Sequence, residues 1–176
     1  KQNKGYFFRI YGSAYADLEI IPRLHLRTSY GVDYNTNYKR TLRKSYVSGF
    51  LSDPSNQVNT SQDVGGNWIW QNTLTYNVDL GNNRFDFLLG SEQIKYISQS
   101  FWASRKSYTL ENIDYSYLDA GSSDKDNGGG GTNNALLSQF AKVNYSYNNR
   151  YLASVTVRRD GSSKFGSENQ YGIFPA

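Results

Sequence analysis

Cysteine is absent from the 176 residues, so disulfides and thiolate metal sites are excluded. Long apolar runs are missing too. No stretch approaches the roughly 18 consecutive apolar residues that a spanning helix needs, and the mean hydropathy is −0.69 with 38% hydrophobic residues. A membrane protein built of helices is thereby excluded. A chain of strands is not, because only alternate residues of a strand must meet lipid. Charge of one sign is nowhere concentrated: the net charge of +4 is spread along the chain, without the basic run of a nucleic-acid-binding protein. Histidine occurs once, as His25; with no cysteine and no second histidine, zinc has too few ligands. Lys1-Gln2-Asn3-Lys4 is not the apolar segment of an export signal, so an exported barrel would require processing or a longer parent.

What is present in quantity is aromatic, with 16 tyrosines and 3 tryptophans, and it is patterned. From Tyr6 to Ile20 the residues Tyr6, Phe8, Ile10, Gly12, Ala14, Ala16, Leu18 and Ile20 share one face of a strand. Phe7, Arg9, Tyr11, Ser13, Tyr15, Asp17 and Glu19 take the other. The stretch from Leu24 to Lys39 repeats this, with Leu24, Leu26, Thr28, Tyr30, Val32, Tyr34, Thr36 and Tyr38 set against His25, Arg27, Ser29, Gly31, Asp33, Asn35, Asn37 and Lys39. A pleat sends alternate side chains to opposite sides, giving one apolar and one wet face. Strands of about 15 residues far exceed the usual 5–6. Amphipathic rings also collect at membrane interfaces. Together these point to an all-β transmembrane antiparallel barrel.

Six strands are predicted, at Tyr6–Ile20, Leu24–Lys39, Asn67–Leu80, Asn83–Phe101, Leu137–Tyr147 and Tyr151–Arg159. Short turns (Ile21-Pro22-Arg23, Gly81-Asn82, Asn148-Asn149-Arg150) alternate with long polar segments at about 40–66 and 102–136, the pattern of tight periplasmic turns and long extracellular loops. Register follows from keeping apolar residues together. Ile20 pairs with Leu24 and Ile10 with Tyr34; Val78 pairs with Phe85, Tyr76 with Phe87 and Asp79 with Arg84; Tyr147 pairs with Tyr151, Val143 with Val155 and Ala141 with Val157. In the fourth strand Ile94 and Tyr96 leave the parity of Phe85, Phe87 and Leu89. A bulge near Gly90 or exit from the membrane explains the change. The Gly- and Asp-rich stretch 121–134 is expected to be mobile.

No motif with a catalytic mechanism is present. Asp124-Lys-Asp126-Asn-Gly128 lacks the later ligands of a calcium loop, and Gly161-Ser162-Ser163-Lys164 lacks the spacing of a phosphate loop. Asp17, Glu19, Asp33, Asp86 and Glu92 share the wet face, where charges are ordinary for a barrel lumen. Tyr11, Tyr15 and Trp102 offer sugar-stacking surfaces as well as packing.

Arg158-Arg159-Asp160-Gly161-Ser162-Ser163, then Phe165-Gly166, then Phe174-Pro175, resembles the barrel of SusC/RagA-type TonB-dependent transporters. Gly31-Val-Asp-Tyr34 and Phe85-Asp-Phe-Leu-Leu-Gly-Ser-Glu92 are similar to earlier strands of those barrels. The resemblance implies a barrel of about 22 strands, of which about six lie in this partial domain, with a plug, further strands and a TonB-binding N-terminal region outside it. It also implies the cell outer membrane and contact with its lipids, a SusD-like lipoprotein over the mouth, and an oligosaccharide or peptide ligand. No cofactor and no catalysis are implied. The motif itself reads as structural, a strand leaving the membrane into a tight Asp-Gly turn. Six strands cannot close a single-chain barrel, for which about eight is the minimum, so the chain is expected to be an internal piece of a longer one. A passive porin and a secreted carbohydrate-binding β-sandwich are the rival readings, with a barrel enzyme behind them.

Overall fold

The computed structural model describes residues Lys1–Ala176. They form β1 (Gln2–Ile21), β2 (Leu24–Arg43), β3 (Tyr46–Ser48), β4 (Leu51–Asp53), β5 (Gln57–Leu80), β6 (Asn83–Lys106), β7 (Ser123–Tyr147), β8 (Tyr151–Ser162) and β9 (Tyr171–Pro175). One 3-10 turn at Leu118–Ala120 is the sole helical element, and no helix is long and apolar enough to cross a membrane. Seven strands make one sheet in the order β1-β2-β5-β6-β7-β8-β9, while β3 and β4 pair apart.

The three predicted turns close three hairpins. Gly81 takes a positive φ of 63° at the first central position of a two-residue loop, as a type II′ turn requires. Asn148 and Asn149 both have positive φ (52° and 53°), and the Arg150 N–H donates to Tyr147 O at 3.0 Å, the pattern of a type I′ turn. Arg23 (φ 71°) follows Pro22 in the third. The register of β7 on β8 is as expected, with Tyr147 opposite Tyr151, Val143 opposite Val155 and Ala141 opposite Val157. Tyr76 stacks on Phe87 (6.5 Å) and Tyr6 on Tyr38 (5.3 Å), each at the expected offset. Asp79, set opposite Arg84 by register, takes Arg23 as its ion partner (3.4 Å), and Arg84 turns to Asp86 (3.4 Å).

The chain divides into two compact units. The first comprises Lys1–Ile10, Tyr34–Gly66 and Ile97–Thr132, and it holds all the buried core there is: Leu42, Val58 and Tyr108, with Ile113 and Leu118 packed against them. A strap, residues 107–122, covers Leu42 on the face that also carries Tyr34 and Tyr38. Asn56 fastens it from both sides, its Nδ2 donating to Tyr108 O (2.7 Å) and its Oδ1 accepting the Tyr108 N–H (2.7 Å). Glu111 accepts the N–H and hydroxyl of Ser45 (2.8 and 2.6 Å), Arg40 donates to Ile113 O (2.8 Å) and lies over the Tyr117 ring (4.2 Å), and Lys4 pairs with Asp114 (2.6 Å).

The hydrogen bonds from Ser45 and Asn56 hold the Glu111 carboxyl below the ordinary glutamate value, and Lys4 does the same for Asp114. A carboxyl lowered by folding stabilises the folded form above its unfolded pKa and loses that contribution as pH falls through its folded value. The strap should therefore loosen on acidification below the ordinary carboxylate range. Hydrogen exchange of residues 107–122 at neutral pH and near pH 3 checks this; equal protection would show that the carboxylates do not hold it.

The second unit comprises Tyr11–Asp33, Asn67–Tyr96 and Asn133–Ala176 and carries the three tight turns. It has no buried hydrophobic residue. Leu18 and Val155 are each 61% exposed, and Leu26 and Val143 more than a third exposed. A water-soluble sandwich would cover such a face with a second layer; here the apolar side is bare.

Several expectations are corrected. Much of segments 40–66 and 102–136 is strand, and the Gly128–Gly131 tract lies inside β7 instead of being mobile. Composition measures what side chains can bury, whereas this stretch is ordered by main-chain pairing with β6: Lys106 meets Asp124 at 2.9 Å and Ser107 meets Ser123 at 2.6 Å. No bulge interrupts β6. Phe85 packs on Tyr145 and Gly90 on Phe140 at the same offset as those two pairs. The change of parity at Ile94 thus reflects a change of surroundings. The sheet has a seventh strand, β9, and Asp160-Gly161 is not a turn but strand, paired with Gly172 and Tyr171. The turn comes later, at 163–170.

Candidate functional site

The wet face of the second unit is organised as paired charges. His25 Nδ1 lies 3.3 Å from Asp17 Oδ1, and Glu19 accepts the Arg23 N–H at 3.0 Å. Arg27 lies over the Tyr15 ring at 4.3 Å. Tyr11, Ser13, Tyr15, Arg27, Ser29 and Gln71 line an open groove of about 360 Å3. Of the carboxylates expected on this face, Asp17 and Glu19 both lie against His25 (3.3 and 4.0 Å), while Asp86 pairs with Arg84 and Glu92 with Arg158; no group of three or more His, Cys, Asp or Glu gathers to hold a metal ion. Nothing here pairs a nucleophile with a base.

A polar ladder crosses the strands sideways. Ser29 donates to Gln71 (3.5 Å), Gln71 to Glu92, and Glu92 lies 3.7 Å from Arg158. Arg158 is the hub: its Nε donates to both oxygens of Asp160 (2.7 and 2.9 Å) and a terminal nitrogen donates to buried Ser138 (3.0 Å). Its guanidinium also stands 5.9 Å from the Phe140 ring centroid. Arginine suits this post because its planar fork serves several acceptors at once.

Phe140 explains Gly90, since its ring occupies the place a Cβ on Gly90 would take. The ring covers the bare backbone, as aromatics do for strand glycines. Gly90→Val should therefore displace the ring at a cost of about 1–3 kcal/mol. An unfolding midpoint that falls in Gly90→Val but hardly further in Gly90→Val/Phe140→Ala would establish the clash; additive losses would refute it.

The remaining motif residues build the β8–β9 hairpin. Arg159 turns to the opposite face and lies over the Tyr171 ring at 4.0 Å. A Cβ at Gly161 would meet that ring at 2.5 Å, which is why glycine stands there. Ser162 closes the hairpin from its N–H to Gln170 O (2.9 Å), and Ser163 ties it to β7 through Ala135 (N–H to O 2.9 Å, Oγ from N–H 2.8 Å). Phe165 and Gly166 lie in the turn, with the Phe165 N–H donating to Ser162 O at 3.3 Å and Gly166 O accepting from Asn169 at 3.0 Å. Phe174 sits opposite Arg158 and Pro175 opposite Val157. The sequence singled out these residues, but the Ser29–Gln71–Glu92 ladder that leads to them was hidden, since it needs the register of non-adjacent segments. Trp102 lies across Gly128, whose Cβ would meet the indole at 2.9–3.1 Å.

No protein-family model matches the chain. Among curated proteins it is similar to the TonB-dependent receptor SusC of Bacteroides thetaiotaomicron, 31% identical over 164 residues, which are 89% of this chain and 15% of that protein. TonB-dependent receptor P3 of Formosa agariphila is 28% identical over 163 residues, 92% of this chain and 16% of that protein. The chain thus spans about a sixth of the length of the curated relatives it matches. A solved structure of the RagAB peptide transporter superposes with a TM-score of 0.87 over 98% of this chain and 19% of that one, at 22% identity. The RagAB peptide importer in its open-open state gives 0.87 over 99% of this chain and 19% of that one, at 23% identity. At these identities the structural likeness speaks to fold, and the sequence matches agree with it. In sequence and in fold, these residues are thus similar to a stretch of barrel wall in TonB-dependent receptors such as SusC.

Proposed function

We propose that this wall belongs to an energy-coupled importer of oligosaccharides or peptides that works with a SusD-like surface lipoprotein and draws on TonB through a region outside these residues. The observation that carries the reading is the uncovered apolar face of the second unit, backed by the names of the relatives. Lipid covers the side of Val143 and Val155; the side of Tyr11, Arg27 and Arg158 lines the conduit. The tight turns face the periplasm. Arg158, Arg159, Asp160, Gly161, Ser162, Ser163, Phe165, Gly166, Phe174 and Pro175 serve the wall as structure, by bracing and closing the β8–β9 hairpin. No residue here performs covalent chemistry, in keeping with relatives named as receptors and transporters.

Uptake of labelled oligosaccharides and peptides by cells with and without the full-length gene, before and after collapse of the inner-membrane proton gradient, tests the proposal. Gene-dependent uptake that stops on uncoupling is expected. Gene-dependent uptake that continues unchanged would make the protein a passive porin.

A further inference from the structure

We propose that a cleft on the lipid-side face, beside Gly161 and Tyr171, binds the phosphorylated headgroup of an anionic membrane lipid. The inference rests on the reading of this face as membrane-covered. The cleft measures about 350 Å3 and is lined by Trp68, Lys95, Leu137, Gly161, Gln170 and Tyr171 among others.

Its position along the strands is the first argument. Counting from the tight turns, the lipid-side residues of β8 are Tyr151, Ala153, Val155 and Val157, and then Arg159. Those of β7 are Tyr147, Tyr145, Val143 and Ala141, and then Gln139. Those of β6 are Phe85, Phe87 and Leu89, and then Ser91, Gln93 and Lys95. The apolar band therefore ends at one level on three neighbouring strands, and the cleft opens there. From Tyr151 to Arg159 at ~3.3 Å per residue, tilted about 40°, the rise is roughly 20 Å, close to the ~25 Å apolar belt of an outer-membrane barrel. The cleft thus lies where headgroups lie.

Charge is the second argument. Lys95 lines the cleft and has no anionic partner within the chain. Arg159 is held over the Tyr171 ring (4.0 Å), with Gln139 at 3.5 Å as its one hydrogen-bond acceptor, so its charge also goes without a carboxylate. The nearby acids Glu92 and Asp160 face the other side, where Arg158 holds them, and Glu168 is not among the lining residues. Lys95 in the lining and Arg159 behind it, against the Tyr171 ring, offer a phosphate counter-charge, and Trp68, Leu137 and Tyr171 offer an acyl chain apolar contact.

The full-length protein in detergent, mixed with phosphatidylglycerol, phosphatidylcholine or inorganic phosphate, provides the test by native mass spectrometry. Selective retention of phosphatidylglycerol is expected, falling roughly fivefold for each cation removed in Lys95→Gln and Lys95→Gln/Arg159→Gln. Lys142→Gln, on the opposite face across from Thr156, should leave retention unchanged. Undiminished retention in the Lys95 variants, equal retention of phosphatidylcholine, or equal binding of inorganic phosphate alone would each overturn the proposal. Should the double variant fail to assemble, Lys95→Gln decides alone, since Lys95 has no bond in the chain to lose. A protein that stays monodisperse without detergent would refute the membrane wall itself; one that needs detergent but selects no lipid would refute the site only.

Discussion

Val155→Arg should weaken the membrane-assembled sheet by about 2–4 kcal/mol, the cost of an arginine facing lipid near the bilayer midplane. Thr156→Arg, one residue on, should change it little. Val155 is 61% exposed on the apolar face and pairs with Val143, whereas Thr156 pairs with Lys142 on the wet face. In the parallel test on β1, Ala14→Arg should be damaging and Ser13→Arg tolerated. The difference arises because lipid offers the guanidinium nothing in place of water, while the conduit is itself polar. Urea unfolding of the full-length protein in lipid, read by loss of heat-resistant compact mobility, measures both pairs. Equal damage from both members of a pair would mean that lipid is not what covers Val155.

Asn56→Leu should free the strap. Asn56 is 7% exposed and satisfies both main-chain groups of Tyr108, itself 5% exposed, and it donates a third bond to Glu111 at 2.9 Å. Leucine keeps the volume and removes every one of these partners. Each buried main-chain group left without a bond costs about 1–3 kcal/mol, so the opening free energy of residues 107–122 should fall by roughly 3 kcal/mol in hydrogen exchange. β5 and β6 should keep their protection, because their ladders do not pass through Asn56. Unchanged exchange in the strap would show that the apolar contacts of Tyr108 with Leu42 and Val58 suffice to hold it.

Alternation made the strands legible. A period of two over more than a dozen residues fixes both the element and its faces, and the turn residues Pro22, Gly81, Asn148 and Asn149 fixed three hairpins with their registers. What stayed hidden has a common cause. Alternation of apolar with polar residues reports only where one face meets lipid, so β5, β6 and β7 fade from view where neither face does. The glycines of β7 were misread because they advertise flexibility, while their carbonyls and N–H groups had a partner in β6. Gly161 was likewise assigned to a turn on its dipeptide with Asp160, when the ring of Tyr171 is the reason for it. The apolar residues of Tyr108 to Leu118 are visible as a packing stretch, but their partners Leu42 and Val58 are not, being far off in sequence and set in polar surroundings. The Arg158 hub was legible as a motif but not as a hub, because its partners Glu92 and Ser138 come from two other strands.

β8 is 12 residues long and β7 is 25. Pairing between them stops at Leu136 opposite Ser162, so from Ser123 to Asn134 one margin of β7 has no neighbouring strand in this chain. Gly128 to Gly131 carry no side chain of their own on that stretch, and the cover they have comes from β6, where the Trp102 indole lies across Gly128. Such a margin is a template for any extended backbone that comes alongside. The short β8 is what ends the shared ladder and leaves this stretch of β7 paired, within these residues, with β6 only.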